Sequence, residues 1–133
     1  MHIFLHNHSR MRTTTICILL LLHGSVAIGA TVSFDCKFPV MVSPKGLASQ
    51  TSPLELRFIT DTEKATTYLM GNNGSSEVRA IPNSPGVSFV EITDSGNVMV
   101  TSITKSGEAV HSRNSIMSGK LIPSQYYGKC IVQ

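Results

Sequence analysis

Six clusters of turn-forming residues punctuate this chain after position 60, and their spacing limits the fold more than any other feature. They are Asp61-Thr62-Glu63, Gly71-Asn72-Asn73-Gly74, Pro82-Asn83-Ser84-Pro85-Gly86, Asp94-Ser95-Gly96-Asn97, Lys105-Ser106-Gly107-Glu108 and Ser118-Gly119. Intervals of about 8–13 residues between such clusters are the rhythm of successive hairpins. The segments between them are rich in Val, Ile, Thr, Phe and Tyr, which suit a pleated surface. LELRF at 54–58 alternates, with Leu54, Leu56 and Phe58 on one face and Glu55 and Arg57 on the other. VMVTSIT at 98–104 is β-branched and reads as largely buried. No window carries a helical stripe, and glycine or proline interrupts every long stretch.

The expectation is an all-β domain: an antiparallel up-and-down meander of about six strands, with a short additional strand near residue 40. A curled sheet or small barrel follows, because a flat meander leaves two exposed edges. Residues 31–53, with Pro39, Pro44, Pro53 and Gly46, read as irregular: an entry strand at Met41 or before it, then a loop. Asn73-Gly74 suits a tight hairpin turn, where both residues tolerate positive φ. Asn73-Gly74-Ser75 also spells a glycosylation sequon.

The first 30 residues read differently. Arg10 and Arg12 precede the apolar run Ile16–Leu22, and small residues follow in SVAIGA. A basic flank, a short apolar core and a small-residue exit make a secretory signal peptide, with cleavage after Ala27 or Ala30 and Met11 as an alternative start. The apolar run is far shorter than the roughly 20 residues of a spanning helix, so no transmembrane segment is expected in the mature chain. A single β domain occupies 31–133, and a periplasmic or secreted location follows.

Removing the leader changes the composition that matters. His2, His6, His8, His23 and Cys17 leave with it. Nine basic side chains then stand against eight acidic ones, a net charge of +1 where the whole chain carries +3. A near-neutral domain with scattered charges offers no electrostatic footprint for nucleic acid. Cys36 and Cys130 remain, and an even pair in an exported chain reads as a disulfide. Closing so long a loop stabilises by roughly 4–5 kcal/mol in the chain-entropy model.

Catalytic machinery is sparse. A serine nucleophile needs a base, and His111 is the sole candidate in the mature chain. Its neighbour Ser112 points to the opposite face of a strand. One histidine and two bonded cysteines write no zinc spacing. The carboxylates Asp61, Glu63 and Asp94 sit in or beside turns, where they cap and solubilise, and Glu91 lies on a strand. The expectation is a non-enzyme without cofactor or metal.

If Ser95-Gly96 and Ser106-Gly107 each close a two-residue loop, Glu91 faces Val100 and Val100 faces Arg113. Phe89, Ser102 and His111 form the next row of that face. The opposite face then gathers Val90, Ile92, Met99, Ile103, Val110 and Ile116 as a core. Glu91, His111 and Arg113 mark the mixed face as a candidate recognition patch; an exposed ion pair there would be worth at most about 1 kcal/mol. Tyr126 and Tyr127 belong to a tail that reaches Cys36, one packing over the sheet's open end and the other facing solvent. Tyr126 joins the candidate binding set on that ground.

The run AVHSRNSIMSGKLIPSQYYGKC at 109–130, with GNNG upstream and the paired cysteines, resembles a group of small exported bacterial envelope proteins. That resemblance implies an exported β-domain and brings no catalytic residues with it. Three readings of the function stand. The first is a binding or structural module of the envelope, partnered by an envelope or secreted protein. The second is an inhibitor of a secreted hydrolase such as lysozyme, although the serine-glycine-x-x-tyrosine loop of such inhibitors is missing. The third is a small apolar-ligand carrier of calycin type, for which six short strands leave little room.

Overall fold

The computed structural model describes residues 29–72 and 74–133; the bulk of the expected leader, residues 1–28, and Asn73 with its sequon lie outside the described residues. The domain is all-β. Eight antiparallel strands follow one another as β1 (Thr31–Ser43), β2 (Gly46–Asp61), β3 (Thr66–Gly71), β4 (Gly74–Asn83), β5 (Gly86–Ile92), β6 (Val98–Thr104), β7 (Glu108–Met117) and β8 (Lys120–Val132). Each pairs with the next, and β8 returns to β1, so the meander closes into a barrel. Among the described residues, closure leaves no free sheet edge. Among the described residues, no helix is long and apolar enough to cross a membrane.

The strand count exceeds the six expected because residues 31–53 are not irregular. β1 pairs with β2 from Thr31↔Asp61 to Ser43↔Gly46, with a shift of register between Phe38 and Val40. The prolines that suggested a loop sit where a strand tolerates them. Pro39 lies inside that shift, Pro44 in the hairpin turn, and Pro53 in the extra β2 residues between Ser49 and Leu54. None of these positions needs a ladder N–H. The tail that carries Tyr126 and Tyr127 is likewise a strand, β8, paired on both sides.

The interior is set by alternation. In β2, Leu56 and Phe58 are buried, Leu54 is half-buried, and Glu55 and Arg57 are exposed. Phe38, Phe58 and Phe89 are fully buried, with Phe58 stacked on Phe89 at 4.2 Å and Phe34 edge-on to Phe89 at 5.4 Å. Such aromatic pairs add roughly 0.5–1.5 kcal/mol each beyond their burial. Phe34, Phe58 and Phe89 fill the half of the barrel nearer the start of β1, while Phe38 lies farther along β1, opposite Leu54 and 6.0 Å from the His111 ring. Cys36 and Cys130 face each other across β1 and β8, bonded and buried, with Cα atoms 3.9 Å apart. The disulfide thus seals the seam at which the meander closes.

The register of the last strands differs from the two-residue-loop expectation. Gly96 N donates to Thr93 O at 2.8 Å, and Gly107 N donates to Thr104 O at 3.0 Å. Gly96 and Gly107 both have positive φ, 80° and 86°. Each loop is therefore a type I turn plus a left-handed glycine, one residue longer than assumed. Every β5–β6 and β6–β7 partner slips by one: Glu91 faces Met99, Met99 faces Arg113, and Phe89, Thr101 and His111 form a row.

The two slips cancel across β6. Glu91 and Phe89 still share a face with Arg113 and His111, as expected, but Met99 and Thr101 replace Val100 and Ser102 between them. That face is the interior: Phe89, Thr101, Ile103, Ala109 and His111 are buried. The expected core side is the outer one. Ile116 is 64% exposed and Ile92 69% exposed, while Val90 and Val110 are only half-buried. Met99 and Ile103 alone of that set line the inside.

Candidate functional site

β1 runs from the disulfide end toward the opposite end of the barrel, where the turns joining β1–β2, β3–β4, β5–β6 and β7–β8 gather. That end is open. A cavity of about 490 Å³ enters there, within the usual range of small-ligand sites, about 300–1,000 Å³. One wall comes from β2 and β3, with Leu54, Leu56 and Leu69. The facing wall comes from β5, β6 and β7, with Glu91, Met99, His111 and Arg113. The apolar wall is the inward face of the alternating LELRF run; the polar wall is the inward face fixed by the two glycine loops.

Three of the four residues singled out from sequence therefore line one cavity, and the fourth adjoins it. Glu91 is half-buried and accepts a hydrogen bond from Ser76 Oγ at 3.0 Å. Arg113 is half-buried, its guanidinium 5.9 Å from the centre of the Tyr126 ring, a cation–π distance. Tyr126 pairs with His111 across β7 and β8, their rings 6.0 Å apart. Tyr127, next along, is 40% exposed on the outside. The patch is thus the inner wall of a barrel mouth, and not the solvated outer face expected.

His111 lies one layer deeper. It is buried, and its Nδ1 stands 2.8 Å from the Thr101 hydroxyl. Burial, and after it the nearby Arg113 charge, together lower its pKa from 6.5 to about 4. The ring is consequently neutral at physiological pH. Its depth explains why it tolerates burial: one nitrogen is held by Thr101 while the residue still borders the cavity.

Glu91 and Arg113 do not pair. Among the described residues the ion pairs are Lys37–Glu55, Arg57–Asp35 and Lys64–Asp61, all on the outside or in a turn. Glu91 and Arg113 lie two strands apart, with Met99 between them. The spacing is roughly 9–10 Å between backbones. Among the described residues no three His, Cys, Asp or Glu side chains gather as a metal site would require.

Sequence reasoning missed Ser76, Leu69 and Met99. Leu54 and Leu56 were visible as one face of a strand, but β3 and β4 offered no signal that Leu69 and Ser76 would come round to the same mouth. A second feature also escaped it. The β1–β2 and β7–β8 hairpins expose Leu47, Ile116 and Leu121, at 73%, 64% and 67%, beside the open end. No protein-family model, no curated protein and no solved structure matches the chain.

Proposed function

We propose that this barrel is an exported, non-catalytic binding module that holds a small amphipathic ligand in its mouth. One observation carries the reading: an open cavity of about 490 Å³ whose leucine wall faces Glu91, His111 and Arg113. An apolar wall removes a ligand's hydrocarbon surface from water, and a few convergent polar groups orient its head. Eight strands give the bore that six would lack; the phenylalanine-filled lower half makes it a shallow cup and not a deep calyx. The buried disulfide supports export to an oxidising compartment, in keeping with the signal-peptide layout.

Gly71 supplies the test. It lines the cavity, and a Cβ added there would meet only the Leu56 Cδ2 atom, at 3.4 Å. Gly71→Leu should therefore fill the mouth without disturbing the barrel. An apolar fluorescent dye should brighten on binding the protein and lose that signal with Gly71→Leu. A dye that ignores the protein, or binds both forms alike, rules the reading out.

A second reading, inhibition of a secreted hydrolase such as lysozyme, draws support from the exposed apolar hairpins. Leu47, Ile116 and Leu121 form prominences of the sort that enter a partner's cleft. A turnover assay of lysozyme with the protein in excess decides it: inhibition should weaken with Leu121→Ser, and an unaffected enzyme removes the idea.

A further inference from the structure

Resting on the mouth-binding reading, the geometry points to a ligand whose head group is dipolar, carrying a positive and a negative charge. Glu91 and Arg113 lie in one transverse row of the inner wall, separated only by Met99. Both are half-buried and both border the cavity. Neither charge is spent on the other or, among the described residues, on any other ion pair. Half-burying two opposite charges side by side without joining them is costly unless each has another use.

Each is held away from the other by its own support. Ser76, on the β4 side, takes one oxygen of Glu91. Tyr126, on the β8 side, presents its ring face to the Arg113 guanidinium at 5.9 Å. The supports pull in opposite directions round the barrel, so the wall keeps a negative end near β5 and a positive end near β7. Asp94, in the β5–β6 loop, also borders the cavity and adds to the negative end. A purely anionic head would meet Arg113 but sit beside Glu91 and Asp94. A purely cationic head would meet the carboxylates but sit beside Arg113. A zwitterion laid across Met99 satisfies both ends, while its tail rests on Leu54, Leu56 and Leu69 opposite. Neutral His111 beneath adds a hydrogen-bonding ring without disturbing this balance of charge.

The test uses the intact protein and four amphiphiles with one shared octyl tail, each below its micelle concentration. They are a carboxybetaine, a trimethylammonium, a sulfate and a glucoside. Calorimetric titration should rank the betaine tightest, by about tenfold or more over each of the others, since each singly charged head loses one of the two charge contacts and meets a like charge in its place. Glu91→Gln should weaken the betaine and the ammonium and spare the sulfate; Arg113→Gln should weaken the betaine and the sulfate and spare the ammonium. Equal binding of all four heads overturns the dipolar inference and leaves the cavity reading intact. A preference for one singly charged head overturns it as well. Failure of every octyl probe, with no dye signal, overturns both. The four-head comparison needs only the unsubstituted protein, so it stands even if a variant folds poorly.

Discussion

Thr101 and His111 face each other inside the barrel across β6 and β7, both buried, with Oγ1 and Nδ1 2.8 Å apart. The hydroxyl can donate or accept, so it serves either tautomer of the neutral ring. It is the contact that lets a polar side chain occupy the layer occupied elsewhere by Phe89 and Phe38. Thr101→Val keeps the shape and removes the partner. The buried ring nitrogen is then unsatisfied, and stability should fall by about 1–3 kcal/mol. Urea unfolding measures it; a loss below about 0.5 kcal/mol would show that the bond contributes nothing.

The depressed His111 pKa makes stability depend on pH. Below about pH 6.5 the unfolded chain binds a proton at His111 that the folded chain refuses until about pH 4. The unfolded state therefore carries more protons in that window, and stability falls as pH falls through it. The contribution is complete above pH 6.5 and is lost by about pH 4, with a span on the order of 3 kcal/mol. Asp61, whose pKa is lowered by hydrogen bonds from Lys64 and Glu63, adds a loss of the same sign at lower pH. Denaturant midpoints from pH 4 to 7, compared with those of His111→Gln, isolate the histidine share. Parallel curves for the two proteins would refute the assignment.

The class of fold was legible in the turn clusters, and all six fall at strand junctions. What the sequence hid was the sign of each face. β5 and β7 offer valine and isoleucine on one side and Phe89, Glu91, His111 and Arg113 on the other, and hydrophobicity favours the first as core. A barrel reverses that judgement near its mouth, because an inward charge there still reaches water. The loop glycines held the remaining information: serine-glycine in a three-residue loop differs from a two-residue loop by one residue, which turns a strand over. Glu91, His111 and Arg113 nonetheless stayed together, because two such slips restore the original relation.

Substitutions read the two faces directly. Phe89→Ala removes a fully buried ring that touches Phe34 and Phe58, and should cost about 3–5 kcal/mol. Ile116→Ala trims a side chain 64% exposed and should change stability by under about 0.5 kcal/mol. The reverse order would restore the face assignment that hydrophobicity alone suggests.

The Cys36–Cys130 bond spans 94 residues and joins strands that the ladder already pairs. Its effect is therefore mainly on the unfolded chain. Replacing both cysteines with alanine should lower stability by about 2–5 kcal/mol while the barrel still forms. Thiol titration of the processed, denatured, unreduced protein should find none free. Two reactive thiols, or a double variant as stable as the parent, would count against the bond.

Gly128 tests how the barrel closes. It pairs with Ala109 of β7 and lies against the shift of register in β1 between Lys37 and Val40. A Cβ at Gly128 would strike the Lys37 carbonyl oxygen and sit 2.7 Å from the Phe38 Cα. Both obstacles are backbone, so no side chain can swing aside. Gly128→Ala must push β1 away from β8 at the seam, next to the disulfide pair and the fully buried Phe38. The cost should exceed about 2 kcal/mol. Gly96→Ala provides the contrast: its φ is +80°, but nothing lies within 4 Å of the added carbon. That change carries only the strain of a left-handed alanine, about 1 kcal/mol. If the seam is as tight as the backbone contacts require, Gly128→Ala unfolds at clearly lower urea than Gly96→Ala. Equal midpoints would mean that β1 and β8 can separate freely at this point, and the barrel would be closed by the disulfide more than by the ladder.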